Sequence, residues 1–115
     1  MISLVVPVWN EQENIIPFLS ELENHIGNED YEVIFVADPC TDRTTEIIKN
    51  QAKLKSYIKL ILMSRRFGQP MAILAGLKKC SGDCAIVIDV DLQNPPSLLP
   101  KMLKLWREGN DVILP

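Results

Sequence analysis

Four apolar runs limit what this chain can fold into: residues 2–8 (Ile-Ser-Leu-Val-Val-Pro-Val), 31–37 (Tyr-Glu-Val-Ile-Phe-Val-Ala), 57–63 (Tyr-Ile-Lys-Leu-Ile-Leu-Met) and 84–88 (Cys-Ala-Ile-Val-Ile). Runs this apolar and this short, rich in β-branched residues, read as strands buried on both faces. The first is interrupted by Pro7 near its end. Between the runs the spacing changes to that of helices. Ile15, Leu19, Leu22 and Ile26 predict a helix over 13–26, stopped by Gly27 and Asn28. Asp42 is the expected N-cap of a second helix that turns Ile47, Ile48 and Ala52 inward. Pro70 suits the first turn of a third, whose expected buried face is Ile73, Leu74 and Leu77 and which ends around Lys79, Ser81 and Gly82. Asn94 and Pro95 start a fourth, burying Leu99, Met102, Leu103 and Trp106 and closing at Gly109, and a fifth strand is expected over 111–114.

Strict alternation of strand and helix with short connections predicts an α/β fold, a doubly wound and mostly parallel sheet with helices on both faces. In the common order of such sheets the first and fourth strands are neighbours at the switch point, where ligands bind beyond the carboxyl ends of the strands. Residues 7–11, Asp38, Arg65 and residues 89–91 are therefore expected to rim one crevice.

The fourth run ends in Asp89-Val90-Asp91. Side chains at i and i+2 of an extended chain point the same way, so the two carboxylates can face one point and their repulsion needs compensation. A divalent cation supplies it, and oxygen ligands without nearby His or Cys favour Mg2+ or Mn2+ over zinc. The bare pair also fits a plainer role, forming a turn and capping the next helix.

With 115 residues and a net charge of −3, the chain has enough apolar residues for one core and no basic footprint for nucleic acid. No apolar stretch approaches the roughly 18–20 residues that cross a bilayer, and no charged leader precedes the first strand. Cys40, Cys80 and Cys84 are odd in number and lack a paired metal spacing, as expected of reduced thiols in the cytoplasm, with Cys80 and Cys84 packed as small buried residues. Neither Gly-X-Gly-X-X-Gly nor a P-loop is present, so a diphosphate bound here needs a cation. Asp38 can accept from a ribose hydroxyl or a base N–H, or form a turn before Pro39. Arg65 and Arg66 match phosphates as guanidinium forks, or are simply solvated. Asn10 and Glu11 contact the nucleotide or cap the first helix. His25, late on a helix, is read as a surface residue.

Val5-Val6-Pro7-Val8-Trp9-Asn10-Glu11, Ser64-Arg65-Arg66-Phe67-Gly68 and Asp89-Val90-Asp91-Leu92-Gln93-Asn94-Pro95-Pro96 resemble, in order and spacing, the family-two inverting glycosyltransferases. Within them the chain is most similar to the polyprenyl-phosphate branch of dolichyl-phosphate mannose synthase and the undecaprenyl-phosphate glucosyltransferases. The resemblance implies a GT-A fold that binds a UDP- or GDP-sugar with Mg2+ or Mn2+. It places Pro7 and Glu11 along the nucleotide, Asp38 at the base and Asp89 as first carboxylate of the metal motif. Asp91 is then the direct metal ligand, and Gln93 completes the coordination. The chain departs from the family in having Ala37-Asp38-Pro39-Cys40 for Asp-Asp-Gly-Ser, Arg66 for a frequent Asn, Gln69 for a frequent Lys and Asn94 for a frequent Asp.

The resemblance further implies transfer of a sugar, with inversion, to a lipid phosphate. Residues 1–115 would be the donor-binding portion, ending before the acceptor-binding half, with no catalytic base of its own. The parent would be membrane-associated on the cytoplasmic side. A polysaccharide or lipopolysaccharide acceptor and a noncatalytic nucleotide-binding remnant, assembling through the exposed edge of its sheet, are the alternatives. A receiver-type signalling domain shares the alternation, but its acidic pair, phosphorylatable Asp and Lys are not at the required strand ends.

Overall fold

The computed structural model describes residues 1–90 together with 100, 101 and 104. Within them the expected alternation is present: β1 (Ile2–Val8), α1 (Ile15–His25), β2 (Tyr31–Ala37), α2 (Thr44–Leu54), β3 (Ile58–Leu62), α3 (Gln69–Lys78) and β4 (Cys84–Val87). All pairings are parallel and the strand order is β3-β2-β1-β4, so β1 and β4 are the neighbours that a doubly wound sheet requires. Of the expected fourth helix only residues 100, 101 and 104 are described, and all three are helical and exposed; its expected buried face and the fifth strand lie outside the described residues.

The two faces of the sheet are packed differently. On one, Leu4, Val6, Val33, Phe35 and Ile86 meet Ile15, Phe18, Leu19 and Leu22 of α1 and Ile48 of α2. Phe18 and Phe35 cross edge to face, their centroids 6.1 Å apart. On the other, α3 lies over Val5, Ile34 and Val36. Here the expected burial of Ile73, Leu74 and Leu77 is corrected: Ala72 and Gly76 are buried, Ile73 is half-buried, and Leu74 and Leu77 stay 44% and 42% exposed. The reason is close approach. A Cβ on Gly76 would lie 2.4 Å from Val5 Cγ1 and 3.1 Å from Val36 Cγ2, so only the small side of the helix can face the sheet. The larger side chains are turned aside.

Smaller differences concern element ends. Helix α2 starts at Thr44, and Asp42 Oδ1 accepts from the Thr44 N–H (3.0 Å) and hydroxyl (2.6 Å), one position earlier than a side-chain N-cap. Cys84 is buried as expected, but Cys80 is only half-buried, its thiol donating to the Gly76 carbonyl (3.3 Å).

The β1–β4 ladder stops at a definite place. Val5 pairs with Val87, and the Ile88 N–H donates to the Val5 carbonyl at 3.0 Å. In a parallel ladder the next rung would be donated by residue 7, and Pro7 has no N–H. Beyond that rung β1 continues against β2 to Val8, with the Asp38 N–H reaching the Val8 carbonyl (3.3 Å). The sheet parts between β1 and β4 at the carboxyl end.

Candidate functional site

A cavity of about 260 Å³ occupies that parting. It is lined by Pro7, Val8, Trp9 and Glu11 from the end of β1, Asp38 from the end of β2, Arg66, Gly68, Gln69 and Ala72 from the start of α3 and the loop before it, and Asp89 and Val90 after β4. Of the residues singled out from the sequence, Pro7, Glu11, Asp38 and Asp89 share this lining. Asn10 and Arg65 do not take part in it. Asp91 and Gln93, the other two expected metal ligands, lie outside the described residues.

Asp38 is 4% exposed. Its Oδ2 accepts the Gly68 N–H (3.0 Å), while its Oδ1 is buried with no hydrogen-bond partner among the described residues. A buried carboxylate oxygen without a donor is costly, about 1–3 kcal/mol or more for a charged group, and is uncommon in native proteins. Gly68 holds φ at +89°, a conformation open to glycine and strained for other residues, which brings its N–H to Asp38 as α3 begins.

The β1–α1 loop is fixed by the β2–α2 loop. Asn10, at φ +51°, a backbone conformation that Asn tolerates better than most residues, accepts the Thr41 N–H (2.9 Å) and donates through Nδ2 to Thr41 Oγ1 (3.2 Å). Trp9 Nε1–H donates to the Pro39 carbonyl (3.2 Å), and the Glu11 N–H to Thr44 Oγ1 (2.8 Å). Asn10 therefore neither lines the cavity nor caps α1; it joins two loops. Glu11 does line it, with Oε2 accepting from Asn14 Nδ2 (2.7 Å). Burial raises the pKa of Asp42 in the same loops, but hydrogen bonds from Thr44 and the Gln12 N–H outweigh it and leave the pKa below the usual carboxylate range.

Asp89 Oδ1 accepts from Gln69 Nε2 at 2.7 Å, joining the end of β4 to the first turn of α3. The two arginines of the preceding loop separate. Arg65 lies over the Phe67 ring, 4.7 Å from its centroid, and Arg66 over Trp9 at 3.6 Å, on the cavity. Trp9, Arg66 and Gln69 also line the cavity: Trp9 falls within the rim expected at residues 7–11, Arg66 is one of the two arginines read as phosphate forks or solvated, and Gln69 was given no site role. The signal for two of them was present as the departures at 66 and 69.

Among the described residues no three His, Cys, Asp or Glu side chains come together as a metal cluster. The donor chemistry nonetheless suits a hard cation: Asp89 brings carboxylate oxygen to the cavity, and no thiol or imidazole lines it. None of the described helices is long and apolar enough to cross a membrane.

Residues 3–115 match the family model described as Glycosyl transferase family 2. The chain is 39% identical over 116 residues to the undecaprenyl-phosphate 4-deoxy-4-formamido-L-arabinose transferase of Yersinia enterocolitica, covering 97% of this chain and 35% of that protein. It is 34% identical over 114 residues to the dolichol-phosphate mannosyltransferase of Pyrococcus furiosus, covering 98% of this chain and 32% of that protein. It thus spans about a third of the length of the curated relatives it matches. In structure it resembles a mannosyltransferase of Pyrobaculum calidifontis solved in complex with GDP-Man and Mn2+, with a TM-score of 0.72 at 24% identity over 78% of this chain and 27% of that one.

Proposed function

The chain belongs to glycosyltransferase family 2, and from that premise we propose that it is the donor-binding part of an enzyme that transfers a sugar, with inversion, from a nucleotide diphosphate to a polyprenyl phosphate. The observation that carries the reading is the buried Asp38 carboxylate on the cavity, with one oxygen occupied by Gly68 and the other without a donor among the described residues. A base N–H or a ribose hydroxyl supplies that donor. The relatives' names supply the acceptor class, since both act with polyprenyl phosphates.

In this reading Pro7 and Glu11 border the nucleotide, Asp38 recognises its base or ribose, and Asp89 stands at the diphosphate. Asp89, with Asp91 and Gln93, would hold Mg2+ or Mn2+. When bound, the ion offsets negative charge on the departing diphosphate. A lipid phosphate is already anionic near neutral pH, so attack on the anomeric carbon needs no strong base from this chain. Because the acceptor is a lipid, the reading puts the full reaction at a membrane with which the parent protein is associated, and on its cytoplasmic side as the family resemblance implies. The portion held in residues 1–115 binds the donor.

Titration calorimetry with UDP and GDP, each with and without Mn2+, tests the proposal. Binding of one nucleotide that requires the metal, and that Asp38→Asn or Asp89→Asn weakens at least tenfold, is the expected result. Indifference to both nucleotides with and without Mn2+ overturns it.

A further inference from the structure

Three carboxylates line the cavity, Glu11, Asp38 and Asp89, against one cationic side chain among the described residues, Arg66. An anion that enters meets a field of its own sign except at that guanidinium. The Arg66 guanidinium carbon lies over the Trp9 indole, 3.6 Å from the ring centroid, a distance at which the ring's negative face attracts a cation. The indole is itself fixed by its N–H bond to the Pro39 carbonyl. Stacking uses the face of a guanidinium and leaves its edge of N–H donors available, and that edge matches phosphate oxygens two at a time. Arg65, stacked on Phe67, does not line the cavity.

Resting on the donor-site reading above, we infer that Arg66, held by Trp9, is a phosphate-binding residue of this chain and contacts the diphosphate of the donor. The loop that carries it is attached at both ends of the cavity mouth, by Arg66 to Trp9 after β1 and by the Gly68 N–H to Asp38 after β2. The guanidinium is therefore presented by a fixed segment, and little ordering is left for the ligand to impose. The residue adds a protein-borne positive charge to a site whose other lining charges among the described residues are negative, so it adds to the diphosphate affinity that the divalent ion makes possible.

The test compares the chain with Arg66→Asn and Arg66→Lys, using UDP and GDP by calorimetry with Mn2+ and inorganic pyrophosphate as a competitor of the bound nucleotide. Thermal melts of each variant within a few degrees of the parent establish that the loop substitution leaves the fold intact; Arg66→Lys keeps the charge if Asn does not fold. Arg66→Asn is expected to weaken the preferred nucleotide and pyrophosphate by the same factor, about tenfold, and Arg66→Lys by about threefold because the ammonium lacks the planar fork. Unchanged affinities overturn the inference while leaving the donor site standing. A loss confined to the nucleotide, with pyrophosphate unmoved, also overturns it, because the contact is then to the nucleoside or the mouth. Failure of the parent chain to bind any of the three ligands removes the donor site and this residue's role together.

Discussion

Strand β2 carries a buried carboxylate near each end, and the two are treated in opposite ways. Glu32, 2% exposed, is fully supplied with donors: Ser3 Oγ–H (2.6 Å), the Ser81 N–H (2.7 Å) and Lys59 Nζ (2.6 Å), with the Gly82 N–H reaching Ser3 Oγ (2.9 Å) behind them. Asp38 has the Gly68 N–H and nothing on its second oxygen among the described residues. Each grips one end of α3, Asp38 through Gly68 just before the helix and Glu32 through Ser81 just after it. The shared mechanical task accounts for one bond at each carboxylate. The rest of Glu32 is used within the fold, whereas the rest of Asp38 is left over, and it is Asp38 that borders the cavity. Satisfaction of hydrogen bonds separates the structural acid from the one proposed to bind the nucleotide, where burial does not.

Removing Glu32 gives the largest expected effect on stability. Glu32→Ala strands the Ser81 N–H and the Ser3 hydroxyl in a buried place, and urea unfolding is expected to show a loss of about 3 kcal/mol. Gly76→Ala comes next. Its methyl drives into Val5 and Val36 between the two grips, with an expected loss of about 1–3 kcal/mol in the same measurement, and it should loosen both. Asp38→Asn should change stability by less than about 1 kcal/mol, because the amide oxygen still accepts from Gly68 and a buried charge with one oxygen unpartnered among the described residues is removed. Its cost should appear in nucleotide affinity instead. If Asp38→Asn proved as destabilising as Glu32→Ala, the contrast would collapse.

The acid limb of stability gives a finer measure. Burial raises the pKa of Glu32, but hydrogen bonds from Lys59, Ser3 and the Ser81 N–H, with the Lys59 charge, outweigh it and leave the pKa below its ordinary value of 4.5. A carboxylate depressed on folding contributes stability that is present above its unfolded pKa and lost as pH falls through the folded one. Stability should therefore fall as pH drops below about 4.5, and the fall should be shallower in Glu32→Gln when followed by urea midpoints at stepped pH. Smallest of all is Lys59→Met, expected to cost under about 1 kcal/mol, since that side chain is half exposed and Ser3 and Ser81 remain on Glu32.

Much of this was legible in the chain. The four strands and three helices of residues 1–90 follow from apolar runs and 3.6-residue spacing, and the strand order follows from the alternation. The gathering of Pro7, Glu11, Asp38 and Asp89 around one cavity follows from which residues sit at strand ends. The buried side of α3 was not legible, because apolar periodicity marks the large side chains and this helix uses its smallest ones to come close. Arg65 and Arg66 could not be told apart either. One residue of spacing decides which aromatic ring each arginine covers, and the partner of Arg66, Trp9, is 57 positions away in sequence. Glu32 was given no role from the sequence; its donors come from Ser3, Lys59 and Ser81, which nothing local connects.

The missing rung at Pro7 has a broader consequence. Many sheets acquire a binding pocket by inserting a loop that holds two strands apart, and such a pocket can close when the loop relaxes. Here the separation is written into the main chain, since an imino acid cannot fasten itself to the neighbouring carbonyl at any temperature or in any state of ligation. The cleft is therefore a fixture of the backbone, ready before any guest arrives.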